Sequence, residues 1–122
     1  MTLKILSYKL SISKLNKLSD LPKSLDFFFL CKTDDELSLV CPAENVPEKT
    51  IARDDGWRGF QIEGVLDFGL VGILSAISTI LADNGIGIFA VSTYNTDYIL
   101  VKETNLDKAV KVLMEAGYEV KE

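Results

Sequence analysis

Residues 65 to 101 read VLDFGLVGILSAISTILADNGIGIFAVSTYNTDYILV, and the spacing of their apolar side chains decides the fold. Leu70, Ile73, Leu74, Ile77, Ile80 and Leu81 recur at three- and four-residue intervals, which predicts a helix from about Leu70 to about Ala82. Asn84-Gly85 ends it, because these two residue types most cheaply take the left-handed conformation of a helix C-terminus. Ile86 to Val91 is apolar, partly β-branched and too short and glycine-dotted for a helix, so it reads as a buried strand. Ser92 to Asp97 is polar and turn-like, and Tyr98 to Val101 supplies the returning strand of a hairpin.

Working outward, Phe60, Ile62 and Val65 form a strand that leads into Asp67-Phe68-Gly69. Downstream, Thr104 or Asn105 can cap a second helix whose inner face is Leu106, Ala109, Val110 and Leu113. Gly117 closes that helix, and Tyr118 to Val120 makes a last short strand. The stretch is one βαββαβ unit with a glycine-bearing loop at its first strand-to-helix join.

The first half has a similar order of elements. Leu3 to Leu10 alternates in part and reads as a strand, and Leu15, Leu18 and Leu21 support a short helix over Ser13 to Leu21 before Pro22. Phe27 to Cys31 and Leu37 to Cys41 flank a charged turn at Asp34-Asp35, which is a hairpin signal. Pro42 and Pro47 break the chain, Val46 to Ala52 has room for a helical turn, and Trp57 to Ile62 is the final strand. The expectation is an α+β chain of two tandem βαββαβ modules with antiparallel sheets, a degenerate one over residues 1–63 and a complete one over 64–122.

Composition bounds the function classes. Modules of roughly 60 residues are marginal alone, so two would need to share apolar surface. The hydrophobic fraction of 48% is ample for that. No apolar run reaches the ~18 residues a membrane helix needs, and no basic segment precedes a long apolar one at the N-terminus, so a cytoplasmic location and no membrane partner are expected. A formal net charge of −5 with scattered Lys and Arg argues against nucleic acid. With the turn at Asp34-Asp35, Cys31 lies nearer Ser38 and Cys41 nearer Phe28, so the thiols do not meet, and two buried, reduced cysteines are expected.

The chain has no His, which removes the commonest general base, the commonest zinc ligand and the usual nucleophile pairs. No catalytic residue, metal site or cofactor is expected. Gly69-Leu70-Val71-Gly72 and Gly85-Ile86-Gly87 are not phosphate loops, since neither has the spacing or the lysine of one. Asp54-Asp55 reads as a solvated turn before Gly56. The binding candidates are the loop Asp67 to Gly72, the segment Ile86, Gly87 and Ile88, and the turn at Thr96 and Asp97. Gly69 and Gly72 leave the backbone open to close approach, and the free N–H groups of the first helical turn suit a carboxylate. Asp97 could receive an ammonium group.

The runs Gly69-Leu70-Val71-Gly72-Ile73-Leu74, Leu81-Ala82-Asp83-Asn84-Gly85-Ile86 and Ile88-Phe89-Ala90-Val91-Ser92-Thr93-Tyr94-Asn95-Thr96-Asp97-Tyr98-Ile99-Leu100-Val101 resemble an ACT domain, and more narrowly the small bacterial tandem-ACT proteins related to the ACT modules of cytosolic amino-acid sensors. The resemblance covers about Phe60 to Val120. It implies a ferredoxin-like regulatory module that pairs side by side and binds an amino acid at the interface. Carried over by position, the binding loop is Phe68, Gly69, Leu70, Val71 and Gly72, the second strand supplies Ile86, Gly87 and Ile88, and Thr96 and Asp97 open the third. The expected partners are an amino acid or similar small zwitterion, a second copy in a homodimer, and an unidentified protein. The alternative is a non-catalytic assembly protein that has lost its ligand, which a cleft filled by Phe68 or Tyr94 would favour.

Overall fold

The apolar period of the longest helical stretch is realised in helix α1, Ile73–Asp83, which buries Ile77 and Leu81 one turn apart. It stops as Asn84-Gly85 requires: Gly85 takes φ +72°, its N–H reaches the carbonyl of Ala82 at 3.0 Å, and the N–H of Ile86 reaches Leu81 at 2.9 Å. Helix α2, Leu106–Glu115, ends in the same motif, with Gly117 at φ +101° and the N–H of Tyr118 on the carbonyl of Leu113 at 3.1 Å. Both helices thus end because a glycine satisfies carbonyls that have no further turn to bond. At its start α2 has Asn105 in the capping position, preceded by a 3₁₀ turn at Glu103–Asn105, and the Asn105 side chain makes no capping hydrogen bond.

The computed structural model describes residues 1–64 and 72–122. Among them are eight strands: β1 Thr2–Ile5, β2 Leu10–Leu15, β3 Phe29–Lys32, β4 Leu37–Pro42, β5 Ala52–Ile62, β6 Ile88–Ser92, β7 Asp97–Lys102 and β8 Glu119–Lys121. Contacts group Met1–Ser7 with Arg58–Glu122 in one unit and Tyr8–Trp57 in another, and β5 runs through the boundary.

In the first unit β1 pairs antiparallel with β5, Leu3 opposite Ile62 and Ile5 opposite Phe60, and parallel with β8. Strand β7 pairs with β5 on its other side and with β6 beyond, so the order is β8-β1-β5-β7-β6. This is the sheet of a βαββαβ module with β1 inserted between its first and last strands. Leu3 enters the core with Phe60, Ile62, Ile77, Leu81, Ile86, Ile99, Val101, Ala109 and Leu113. Burying a side chain of this size is worth roughly 1.5–3 kcal/mol, which is the reason the chain's N-terminus contributes to a core formed otherwise from its second half.

In the second unit β3, β4 and β2 form an antiparallel ladder that continues into the start of β5. Leu15, Leu37, Leu39 and Cys41 make its own core, with Leu21, Leu25 and Val46 against it. Several expectations are corrected here. Ser13 to Leu21 is not a helix: β2 covers Leu10–Leu15, and only a 3₁₀ turn, Leu18–Asp20, follows. The strand expected over Leu3 to Leu10 stops at Ile5, and Leu10 begins β2. Val46 to Ala52 holds no helical turn, since Val46 stands before Pro47 and is extended at φ −63°, ψ 130°, as proline demands of its predecessor. The 3₁₀ turn lies just before it, at Ala43–Asn45.

Asp54-Asp55-Gly56 is not a turn but the middle of β5. Leu10 faces Trp57 and Ile12 faces Asp54, so Asp55 and Gly56 together oppose Ser11 in a β-bulge with Gly56 at φ +81°. Asp55 accepts hydrogen bonds from Ser11 Oγ and, at 2.8 Å, from Arg53 Nε. Cys31 stands opposite Ser38, as the turn position implied. Both cysteines are free; Cys41 is buried, whereas Cys31 is exposed, because β3 turns most of its residues to solvent.

Candidate functional site

The corner at the C-terminal end of β5 carries the strongest candidate. There, beside the pairing of β7 with β5, a side-chain hydrogen bond ties the turn joining β6 to β7 to β5: Thr96 Oγ1, buried, donates to the carbonyl of Ile62, also buried, at 2.6 Å. The turn is itself closed by Thr93, whose N–H and hydroxyl both reach the carbonyl of Thr96, at 2.8 and 3.0 Å. Asp97 opens β7 opposite Ser92, and its Oδ1 accepts the Ser92 hydroxyl at 2.6 Å. Ser92 is a residue that sequence reasoning overlooked; the signal for it is its place across the hairpin from Asp97.

Helix α1 is the next described element in the chain after β5. Gly72 is the capping residue, exposed and left-handed at φ +83°, and its carbonyl accepts the N–H of Ala76 at 2.8 Å. Gly72 has no side chain with which to cap the helix, and no side-chain cap is seen among the described residues. The N–H groups of Ile73, Leu74 and Ser75 have no acceptor within the helix, so a partial positive charge lies at this end of α1. Gly72 is also open sterically, since a Cβ built there would touch nothing within 4 Å. Phe68, Gly69, Leu70 and Val71 lie outside the described residues.

The remaining candidates are placed elsewhere. Ile86 is 4% exposed and its side chain belongs to the core. Ile88 packs partly against that core, and Gly87 is exposed with open space where a Cβ would stand. Ile88 faces Val101 at the end of the hairpin remote from its turn, four residues from Ser92. At roughly 3.3 Å per residue, about 13 Å separates Ile88 from the Thr96–Asp97 corner, more than one small amino acid spans. Within one chain, therefore, the described candidates fall into two groups, Thr96 and Asp97 at one end of β6 and Ile86 to Ile88 at the other. Tyr94 is 80% exposed at the turn and fills no cleft. Ser78 donates to the carbonyl of Ser75 within α1.

Among the described residues no group of His, Cys, Asp and Glu could hold a metal ion, and no helix is long and apolar enough to cross a membrane.

A family profile described as the ACT domain matches residues 52–115. A second, described only as an N-terminal domain, matches residues 8–49. A search of curated proteins gave no match. Among solved structures, the protein Atu0741 from Agobacterium tumefaciens is 35% identical over 99% of this chain and 92% of its own, with a TM-score of 0.88. The Vibrio cholerae protein VC0802, described as of unknown function and a possible transport protein, is 23% identical over 93% and 88%, with a TM-score of 0.73. The aspartate kinase from Synechocystis shares the fold, with a TM-score of 0.70 at 16% identity, over 98% of this chain and 27% of that one.

Proposed function

Because the chain belongs to the ACT domain family, we propose that it is a regulatory protein of the cytoplasm, not an enzyme, that binds an amino acid or a similar small zwitterion where two copies meet. The observation that carries this reading is the start of α1 at the left-handed Gly72, which no described side chain caps, together with the Thr96 clamp at the end of β5, the strand that precedes α1 in the chain. A carboxylate is the natural occupant of such amides, and Asp97 offers the opposite pole for an ammonium. The ligand-binding set is Phe68, Gly69, Leu70, Val71, Gly72, Thr96 and Asp97, joined by the backbone of Ile86, Gly87 and Ile88.

The 13 Å that separates the two groups of candidates supports a site completed by a second copy. Among the described residues β6 pairs only with β7, which leaves its other edge open. Ile88–Ser92 holds no charged residue and no proline, the devices that normally keep such an edge from pairing. Strand β8, at the opposite edge, is three residues long and carries Glu119 and Lys121. Two copies joined antiparallel along β6 about a two-fold axis would lay Ile88 of each beside Ser92 of the other. Each corner would then gain the partner's Gly87 and Ile88. The duplication of modules over residues 1–63 and 64–122 belongs to this proposal too, supported by the order of strands; in the first half 3₁₀ turns stand where helices would be.

The alternative reading is an assembly protein without a ligand. The use of the Thr96 hydroxyl on Ile62 and of Asp97 on Ser92 favours it, since both groups already have partners. Melting temperatures measured with each of the twenty amino acids, and with nucleobases as controls, separate the two. A ligand at ~100 times its dissociation constant stabilises the protein by ~2.7 kcal/mol. No response to any amino acid would leave only the assembly reading.

A further inference from the structure

Partway along β5, away from the candidate corner, lies a second feature that the amino-acid reading does not use. A cavity of about 440 Å³ is lined by Lys4, Ile5, Ser7, Arg58 and Glu122, all within the unit built from Met1–Ser7 and Arg58–Glu122. Arg58 and Ile62 are four residues apart on β5, so the cavity lies about 13 Å from the Thr96 clamp.

Arg58 is held there with most of its donors unspent. Its Nη2 donates to the carbonyl of Leu6 at 3.1 Å, which anchors the guanidinium to the chain just after β1. Its Nε–H is buried and has no acceptor among the described residues. A guanidinium carries five N–H donors in a planar fork, and leaving one buried without a partner is costly, so proteins normally supply an acceptor. Lys4 projects from β1 into the same cavity and forms no ion pair among the described residues. Ser7 adds a hydroxyl and Ile5 an apolar wall. Two cations and a hydroxyl thus converge on one concave space in a chain whose formal net charge is −5. The one acidic side chain of the lining, Glu122, is exposed and is bridged to neither cation.

We propose that this cavity is a second binding site, for a small oxyanion carrying a phosphate or carboxylate group. The ligand takes the unpaired edge of the Arg58 guanidinium, a small rotation about the Nη2 anchor bringing Nε–H to it, with Lys4 as the second charge and Ser7 as a neutral donor. The planar fork suits the two oxygens of either group. Glu122 at the rim opposes a dianion, so it sets how tightly the anion is held.

The test is calorimetric titration of the full chain with inorganic phosphate and, separately, with malonate, at constant ionic strength and with chloride as the control. Saturable binding of one or both is expected, and the stronger arm identifies the oxyanion. Lys4→Ala, at an exposed position, is expected to weaken binding about tenfold without changing the melting temperature, and Arg58→Gln to remove it. Glu122→Gln is expected to tighten it. The response to amino acids at the other corner should be the same in Lys4→Ala as in the parent protein. No binding beyond the chloride control overturns the proposal, as does binding that Lys4→Ala leaves unchanged; the second outcome is decisive even if Arg58→Gln does not fold.

Discussion

Replacing Thr96 by valine keeps the shape of a β-branched side chain and deletes a single hydroxyl, the one that donates to Ile62 at 2.6 Å. Thr96 is 6% exposed and Ile62 fully buried, so water cannot take over the bond. The expected cost is that of a buried carbonyl losing a donor, about 1–3 kcal/mol. An unfolding entropy of roughly 2.1 cal/mol/K per residue gives about 0.26 kcal/mol/K for the 122-residue chain. The melting temperature should then fall by roughly 4–12 °C. Thr96→Ser, which keeps the hydroxyl and loses a methyl group, should fall by less. Differential scanning calorimetry of the three proteins at one pH reads both shifts directly. A change under about 1 °C for Thr96→Val would mean that the turn is held to β5 by something other than this bond, and the corner would lose its rigid wall.

Asp97→Ala removes an exposed hydrogen bond from Ser92, so the melting temperature without ligand should change little, while amino-acid-induced stabilisation weakens; equal ligand shifts in both proteins would count against Asp97 as the ammonium partner. Gly72→Ala meets no steric obstacle but must hold φ +83°, which should cost about 1–2 kcal/mol in a chemical denaturation curve. Ala90→Lys, at an exposed position of β6, should convert the proposed dimer to a monomer by light scattering, with stability changed by about 0.5 kcal/mol or less. Burial pushes the Cys41 thiol above its ordinary range, with the Arg53 charge pulling the other way. A thiol reagent should therefore modify Cys31 at once and Cys41 only on unfolding. For the same reason the contribution of Cys41 to stability is full below about pH 8.5 and declines as pH rises past that value, where the unfolded chain ionises first.

The second half was legible because each of its signals had one physical meaning. The three- and four-residue spacing from Ile73 to Leu81 can bury one stripe only as a helix, and Gly85 and Gly117 stand where helix ends need left-handed residues. The first half misled through β2, Leu-Ser-Ile-Ser-Lys-Leu, whose buried positions include Ser11 and Ser13. A polar residue on a buried face hides the two-residue period, and the leucines at 15, 18 and 21 then imitate a helix. Ser11 and Ser13 tolerate burial because Asp55 and the Leu39 carbonyl accept their hydroxyls, partners that lie 44 and 26 residues away. The insertion of β1 between β5 and β8 was equally unreadable, since four residues carry no record of which strands they join. At the candidate corner the hairpin was legible, and with it the separation of Ile86 to Ile88 from the Asp97 turn; the bond from Thr96 to the Ile62 carbonyl, 34 residues away, was not.

In the proposed amino-acid site, the start of α1 and the Thr96–Asp97 turn form one face. Backbone amide shifts recorded by heteronuclear NMR during titration with each amino acid read that face residue by residue. Saturable shifts at Gly72 to Ser75 and at Thr93 to Asp97, accompanied by Gly87 and Ile88 through the second copy, are the predicted result. Amides that stay fixed at these positions with every amino acid, or that move only elsewhere in the chain, would contradict it.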